Sequence, residues 1–150
     1  MKGRRAAESN ESLDQAALRY LARKDRTETQ MQKFLQRRGA SPPQVQTVVR
    51  RMRAHGYLND EMYARRWAAE RMARRPMGRQ RLEAELLAQG FASALVDQTL
   101  IEIYGQRGER VWAELLLRAK GHSAVSPGPQ VRLLRTHGFS EETIEEVVRS

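Results

Sequence analysis

From Leu13 to the C-terminus, apolar residues recur at three- and four-residue spacings, the period of a helix that buries one face. Leu13, Ala17, Tyr20 and Leu21 form the first stripe. Ser12, with Gln15 three residues on, reads as the capping box that opens it, and the helix is predicted to end near Lys24. Thr27 and Gln30 repeat that pattern ahead of Met31, Phe34 and Leu35, and Gly39 is placed to stop this second helix in a left-handed cap. Ser41-Pro42-Pro43-Gln44 is a strong start signal: the serine caps, Pro42 suits the first helical position and Gln44 can reach back. Val45, Val48, Val49 and Met52 supply the inward face of a third helix ending at His55-Gly56. Residues 1–11 show no such period and are predicted to be a mobile tail.

The same unit then recurs. Glycines fall at 39, 90 and 138, each preceded four residues earlier by a leucine: Leu35, Leu86 and Leu134. Six residues after them stand Val45, Val96 and Ile144, and nine and ten after stand Val48-Val49, Thr99-Leu100 and Val147-Val148. Phe91 and Phe139 directly follow two of the glycines, the position where a helix-ending turn accepts an apolar contact. Matched offsets of this kind predict an all-α fold of three tandem three-helix repeats forming an elongated, curved array, since each repeat is too small to bury its apolar face alone. The expected boundaries are residues 12–58, 59–107 and 108–150. Asn59 is predicted to cap a helix reaching about Arg75, with Pro76-Met77-Gly78 breaking it and the next helix starting near Arg79. In the third repeat that break is replaced by Gly121–Pro129, read as a Ser/Pro/Gly-rich loop.

Charge sharpens the picture. The chain of 150 residues carries a net +9, but residues 19–82 hold seventeen Lys/Arg against five Asp/Glu, while residues 83–150 hold seven against ten. A basic half joined to a mildly acidic half points to an acidic partner: nucleic acid, an acidic protein face or a nucleoprotein. The focus is Gly56–Phe91, where Arg65, Arg66, Arg71, Arg74, Arg75, Arg79 and Arg81 are opposed within their span by Glu70 alone. A helical wheel puts Tyr63, Ala64, Trp67, Ala68 and Met72 on one side, with Arg65, Arg66 and Arg74 largely on the other and Arg71 and Arg75 at the margins. Arg37, Arg38, Arg50 and Arg51 add a second cluster in the first repeat. These eleven arginines are the candidate binding face, because the flat, forked guanidinium suits carboxylates and phosphates.

Other chemistry is sparse. The three histidines show no i, i+4 pairing, and His55 and His137 precede helix-ending glycines, where a helix dipole favours a cation. No phosphate loop or catalytic constellation is present, so the expectation is a non-enzyme with no cofactor, no metal and no small-molecule substrate. The absence of cysteine fits a reducing cytoplasm, and no apolar run is long enough to span a bilayer. Tyr20, Phe34, Trp67 and Trp112 sit at helix-stripe spacing and are expected in the core, which argues against aromatic platforms for stacking bases.

Three blocks carry a family resemblance: ALRYLARKDRTETQMQKFLQRRG at 17–39, GYLNDEMYARRWAAERMARRPMGRQRLEAELLAQG at 56–90, and LLRTHGFSEETIEEVV at 133–148. The chain resembles the RecX family of bacterial regulators of the RecA recombinase, from about Leu13 to the C-terminus. Asn59 stands where an Asp is common in the family, a change that keeps the cap, and the match loosens around 121–130. The resemblance implies a negative regulator that lies in the groove of the RecA filament on single-stranded DNA and suppresses ATP hydrolysis, strand exchange and co-protease activity. RecA is then the expected partner, with weak direct DNA contact and no membrane, and the arginines become the filament-binding face. The alternative is a direct DNA-binding helical-repeat protein acting by competition for DNA.

Overall fold

A computed structural model describes residues 9–105, 107–122 and 126–149. Among the described residues there are nine helices and no strand: α1 (Asn10–Arg23), α2 (Glu28–Arg37), α3 (Pro42–Ala54), α4 (Asp60–Arg74), α5 (Arg79–Gln89), α6 (Ser93–Tyr104), α7 (Arg110–Ala119), α8 (Pro127–Thr136) and α9 (Glu141–Arg149). The chain is an all-α array of three-helix repeats.

The repeat is written in hydrogen bonds as well as in sequence. Gly39, Gly90 and Gly138 all adopt positive φ, at 87°, 99° and 85°. The next residue in each case, Ala40, Phe91 or Phe139, donates its N–H to the carbonyl of Leu35, Leu86 or Leu134. Those three leucines are fully buried. Val45, Val96 and Ile144, in the first turns of α3, α6 and α9, are buried in turn. Each repeat thus closes one helix with a left-handed glycine and folds the next back over the leucine it has just passed.

Start signals met mixed fortunes. Thr27–Gln30 and Ser41–Gln44 form full capping boxes, with side-chain and backbone bonds in both directions. Asn59 accepts the Met62 N–H at 3.1 Å, as expected of a cap. The predicted Ser12 cap is wrong: Ser9 caps α1 and its hydroxyl accepts the Ser12 N–H at 3.1 Å, so the helix begins one turn earlier. The remainder of the predicted tail, residues 1–8, lies outside the described residues. The Gly121–Pro129 loop also needs correcting. Ser126 precedes α8 and Pro127-Gly128-Pro129 form its first turn, where a missing N–H removes no helical hydrogen bond. Residues 123–125 of that stretch lie outside the described residues.

The chain divides into two compact units, Met1–Tyr63 and Ala64–Ser150. In the first, Leu13, Ala17, Met31, Leu35, Val48 and Met52 build a core between α1, α2 and α3. In the second, Ala113, Leu116, Leu134, Phe139, Ile144 and Val147 build a core between α7, α8 and α9.

Within that second unit the turn before α5 meets the turn before α9 at backbone contact distance. The Gly78 N–H donates to the His137 carbonyl at 2.9 Å. A Cβ at Gly78 would overlap the Gly138 carbonyl, so glycine is required there by space and not by dihedral angle. Glu109 ties the same turns together: one carboxylate oxygen accepts the Arg79 N–H at 2.6 Å, and the other accepts the Ser140 N–H at 3.0 Å and the Thr143 hydroxyl at 2.7 Å. One side chain therefore satisfies donors at the starts of both α5 and α9.

Candidate functional site

The arginine surface of the second unit is built on α4. Its buried stripe is Ala64, Ala68 and Met72, with Tyr63 and Trp67 half-buried beside it. Ala64 and Ala68 are fully buried, and the opposite face carries Arg65 and Arg66 into solvent, with Arg74 and Arg75 exposed at its end. Arg65 pairs with Glu102 of α6 at 3.0 Å, with both side chains largely solvated. Arg71 is half-buried, its guanidinium 5.1 Å from the centre of the Trp67 ring.

Past the Pro76–Gly78 break, Arg81 returns towards Arg71, and Glu85 of α5 joins them. Arg71 donates twice to one Glu85 oxygen, at 2.8 and 3.1 Å, and Arg81 donates to the other at 3.2 Å. Arg81 also reaches the Thr136 carbonyl at 3.1 Å. Burial pushes the Glu85 carboxyl up, but hydrogen bonds and charge from the two arginines outweigh it and hold the group below the usual carboxylate range. Arg79 spends its backbone N–H on Glu109 and keeps its side chain exposed. The break also creates a cavity of about 490 Å³, floored by Met77 and Leu116 and rimmed by Arg71, Arg74, Arg75, Arg81 and Lys120.

In the first unit, Arg37 and Arg50 are exposed on α2 and α3. Arg51 lies 3.4 Å from Asp14. Arg38 sits 5.7 Å from the centre of the Phe34 ring, and Phe34 stacks on Tyr20 with 4.1 Å between centroids and 5° between planes. Arg26 covers Tyr20 at 3.8 Å. The expectation that Tyr20, Phe34, Trp67 and Trp112 lie in the core is therefore corrected. All four are half-buried at core margins, where an aromatic edge can pack while a face or polar tip meets arginine or carbonyl. Trp112 illustrates the rule, with its indole N–H donating to the Ile103 carbonyl at 3.1 Å.

Sequence reasoning missed three carboxylates that organise these surfaces. Asp60, in the first turn of α4, accepts the Glu28 N–H at the start of α2 at 3.1 Å. Glu28 in turn holds Arg53 through two 2.8 Å bonds. Nothing in the linear sequence sets Glu85 and Glu109 apart from the other acids, and only their tertiary partners distinguish them.

Comparison with known proteins places this architecture. The model of the first three-helix domain of RecX matches residues 15–52, and that of the second matches residues 59–100. The regulatory protein RecX of Mycobacterium leprae is 31% identical over 138 residues, an alignment covering 87% of this chain and 80% of that protein. The chain belongs to the RecX family. The RecX proteins of Caldanaerobacter subterraneus and Geobacillus thermodenitrificans are 30% and 27% identical, and this chain spans 66% and 52% of their lengths. The fold matches the crystal structure of RecX from Lactobacillus salivarius with a TM-score of 0.76 at 19% identity, covering 93% of this chain and 94% of that one. Both RecX domain matches fall on stretches that carry the arginines: Arg37, Arg38, Arg50 and Arg51 in the first, and the run from Arg65 to Arg81 in the second. Among the described residues, no helix is long and apolar enough to cross a membrane.

Proposed function

We propose that this RecX-family chain is a non-enzymatic negative regulator of RecA, binding the RecA–DNA filament through its arginine faces and inhibiting ATP hydrolysis, strand exchange and co-protease activity. The observation that carries this reading is the exposure of Arg65 and Arg66 on α4, over a buried Ala64/Ala68/Met72 stripe, inside the RecX domain match at 59–100. Guanidiniums held on a rigid helix suit the mixed surface of a nucleoprotein, where carboxylates and phosphates lie side by side. Arg37, Arg38, Arg50, Arg51, Arg71, Arg74, Arg75, Arg79 and Arg81 are proposed to belong to the same binding function.

The test is RecA ATPase on single-stranded DNA with the wild-type chain and with Arg65→Glu/Arg66→Glu. The double reversal is expected to weaken inhibition more than tenfold, about 1.4 kcal/mol. Its melting temperature should change little, because the Arg65–Glu102 pair is exposed. Full inhibition by a normally folded double mutant would remove these two arginines from the contact. Bare DNA provides the second arm. A phosphate binder loses about 0.9 log units of affinity per log unit of salt for each duplex contact. Equal affinity for bare DNA and for filament at physiological salt would favour competition for DNA instead.

A further inference from the structure

The cavity beside the Pro76 break gathers four of the arginines proposed for filament binding into a concave space, a shape that a flat filament contact does not require. Its five cations, Arg71, Arg74, Arg75, Arg81 and Lys120, come from three segments of one unit and converge on a concave space of about 490 Å³, a volume typical of small-molecule sites. Glu85 is the one carboxylate in the lining, and it is already engaged by Arg71 and Arg81. It therefore positions two guanidiniums and leaves little acceptor capacity with which to repel an anion. Arg74, Arg75 and Lys120 have no carboxylate partner among the described residues, and all three are exposed. Their charge is unspent. The floor is carbon, but Pro76, Met77 and Leu116 are almost wholly buried, so Ala119 and the methylene stems of the arginines and Lys120 supply its accessible apolar surface.

A flat basic face suits an extended acidic surface, whereas a pocket with a cationic rim and an apolar floor suits a compact ligand with several negative charges and a less polar body. We propose that this pocket binds a nucleoside di- or triphosphate, its phosphate chain on the arginine and lysine head groups and its nucleoside over Ala119 and the methylene stems of the rim. Discrimination falls on phosphate number. The floor offers no free hydrogen-bonding side chain to read a base edge, so adenine and guanine nucleotides bind alike. This inference does not rest on the filament reading, and its test uses the chain alone, without RecA or DNA.

Isothermal titration with ATP, ADP, AMP and pyrophosphate in EDTA, at roughly physiological ionic strength, measures it. ATP is expected to bind more than tenfold tighter than AMP, and ADP more than threefold tighter than pyrophosphate, which has the same two phosphates, so that the second ratio reports the apolar lining. Ala119→Trp fills the cavity without changing net charge and should reduce ATP affinity more than tenfold. Arg74→Ala/Arg75→Ala should do the same by removing unspent charge. Arg37→Ala/Arg50→Ala, which removes equal charge from the first unit, should change affinity less than threefold. Circular dichroism melts confirm that each variant is folded. Equal affinity for ATP and AMP, or equal losses in the two arginine pairs, would show a diffuse basic field and overturn the site. A cavity that ignores ATP but loses an oligothymidylate in Ala119→Trp would overturn it in favour of a nucleic-acid strand.

Discussion

Asp60 carries the largest contradiction between charge and surroundings. Burial pushes its carboxyl up to about 6, against the lowering effect of the Glu28 N–H bond, with the Glu28 charge adding to the rise and Arg53 opposing it. A carboxyl whose folded-state value lies above its unfolded value contributes stability below the unfolded value, about 3.9, and loses it as pH rises through about 6. Stability attributable to Asp60 therefore falls between about pH 4 and pH 6. Asp60→Asn keeps an acceptor for the Glu28 N–H and removes the charge. Urea melts at pH 4.5, 5.5 and 6.5 should show the variant gaining on the wild type as pH rises, by on the order of 1–2 kcal/mol after allowing for solvent screening. Glu85 and Glu109 titrate below the usual carboxylate range and act at lower pH, with the opposite sign. A gap between wild type and variant that stays constant with pH would show that Asp60 does not titrate in this window. None of this was legible in the sequence, because Asp60 follows a cap residue and its conspicuous role is local. Its partner lies thirty-two residues back, at the start of another helix.

Helix ends divide what could be read from what could not. Local caps, such as Thr27–Gln30 and Ser41–Gln44, were legible because donor and acceptor sit three residues apart. The glycine–leucine offsets were legible because the repeat prints them three times. The start of α5 was different: Gly78 offers no side-chain cap, and its role is filled by Glu109, which accepts the Arg79 N–H from thirty residues further on than Arg79. The arginine positions were visible as a pattern, but which of them are tied down was not, since Glu85 and Glu102 approach only in the folded unit. Burial raises the Glu109 carboxyl, but its hydrogen bonds from Ser140, Arg79 and Thr143 hold it below its ordinary range. Glu109→Gln replaces one accepting oxygen with an amide that donates towards donors. It should destabilise the chain by about 1–3 kcal/mol in a denaturant melt. Glu141→Gln, whose partner Arg135 is exposed, is the matched control and should cost much less. Equal losses in the two variants would reduce Glu109 to an ordinary surface acid.

For the whole molecule, the third repeat is more than a third copy of a surface. Through Glu109 and the His137 carbonyl it supplies hydrogen-bond partners to the start of α5, in the preceding triplet. A chain ended after Gly105 should therefore lose more helix than α7, α8 and α9 contribute. Far-ultraviolet circular dichroism should show lower helicity per remaining residue than in the full chain, and undiminished helicity would make the second triplet self-sufficient. The contact between Gly78 and His137 also has a consequence for synthesis. Fifty-nine residues separate the two. At roughly 5–20 residues per second, a ribosome needs about three to twelve seconds to make the second after the first. Until then the Gly78 N–H has no native acceptor, and Met77, buried in the finished protein, waits beside an arginine-rich helix. The nascent chain therefore carries an arginine-bearing helix next to an unfinished turn for several seconds, and translation speed over that interval sets how long a chaperone or a stray polyanion has to reach it first.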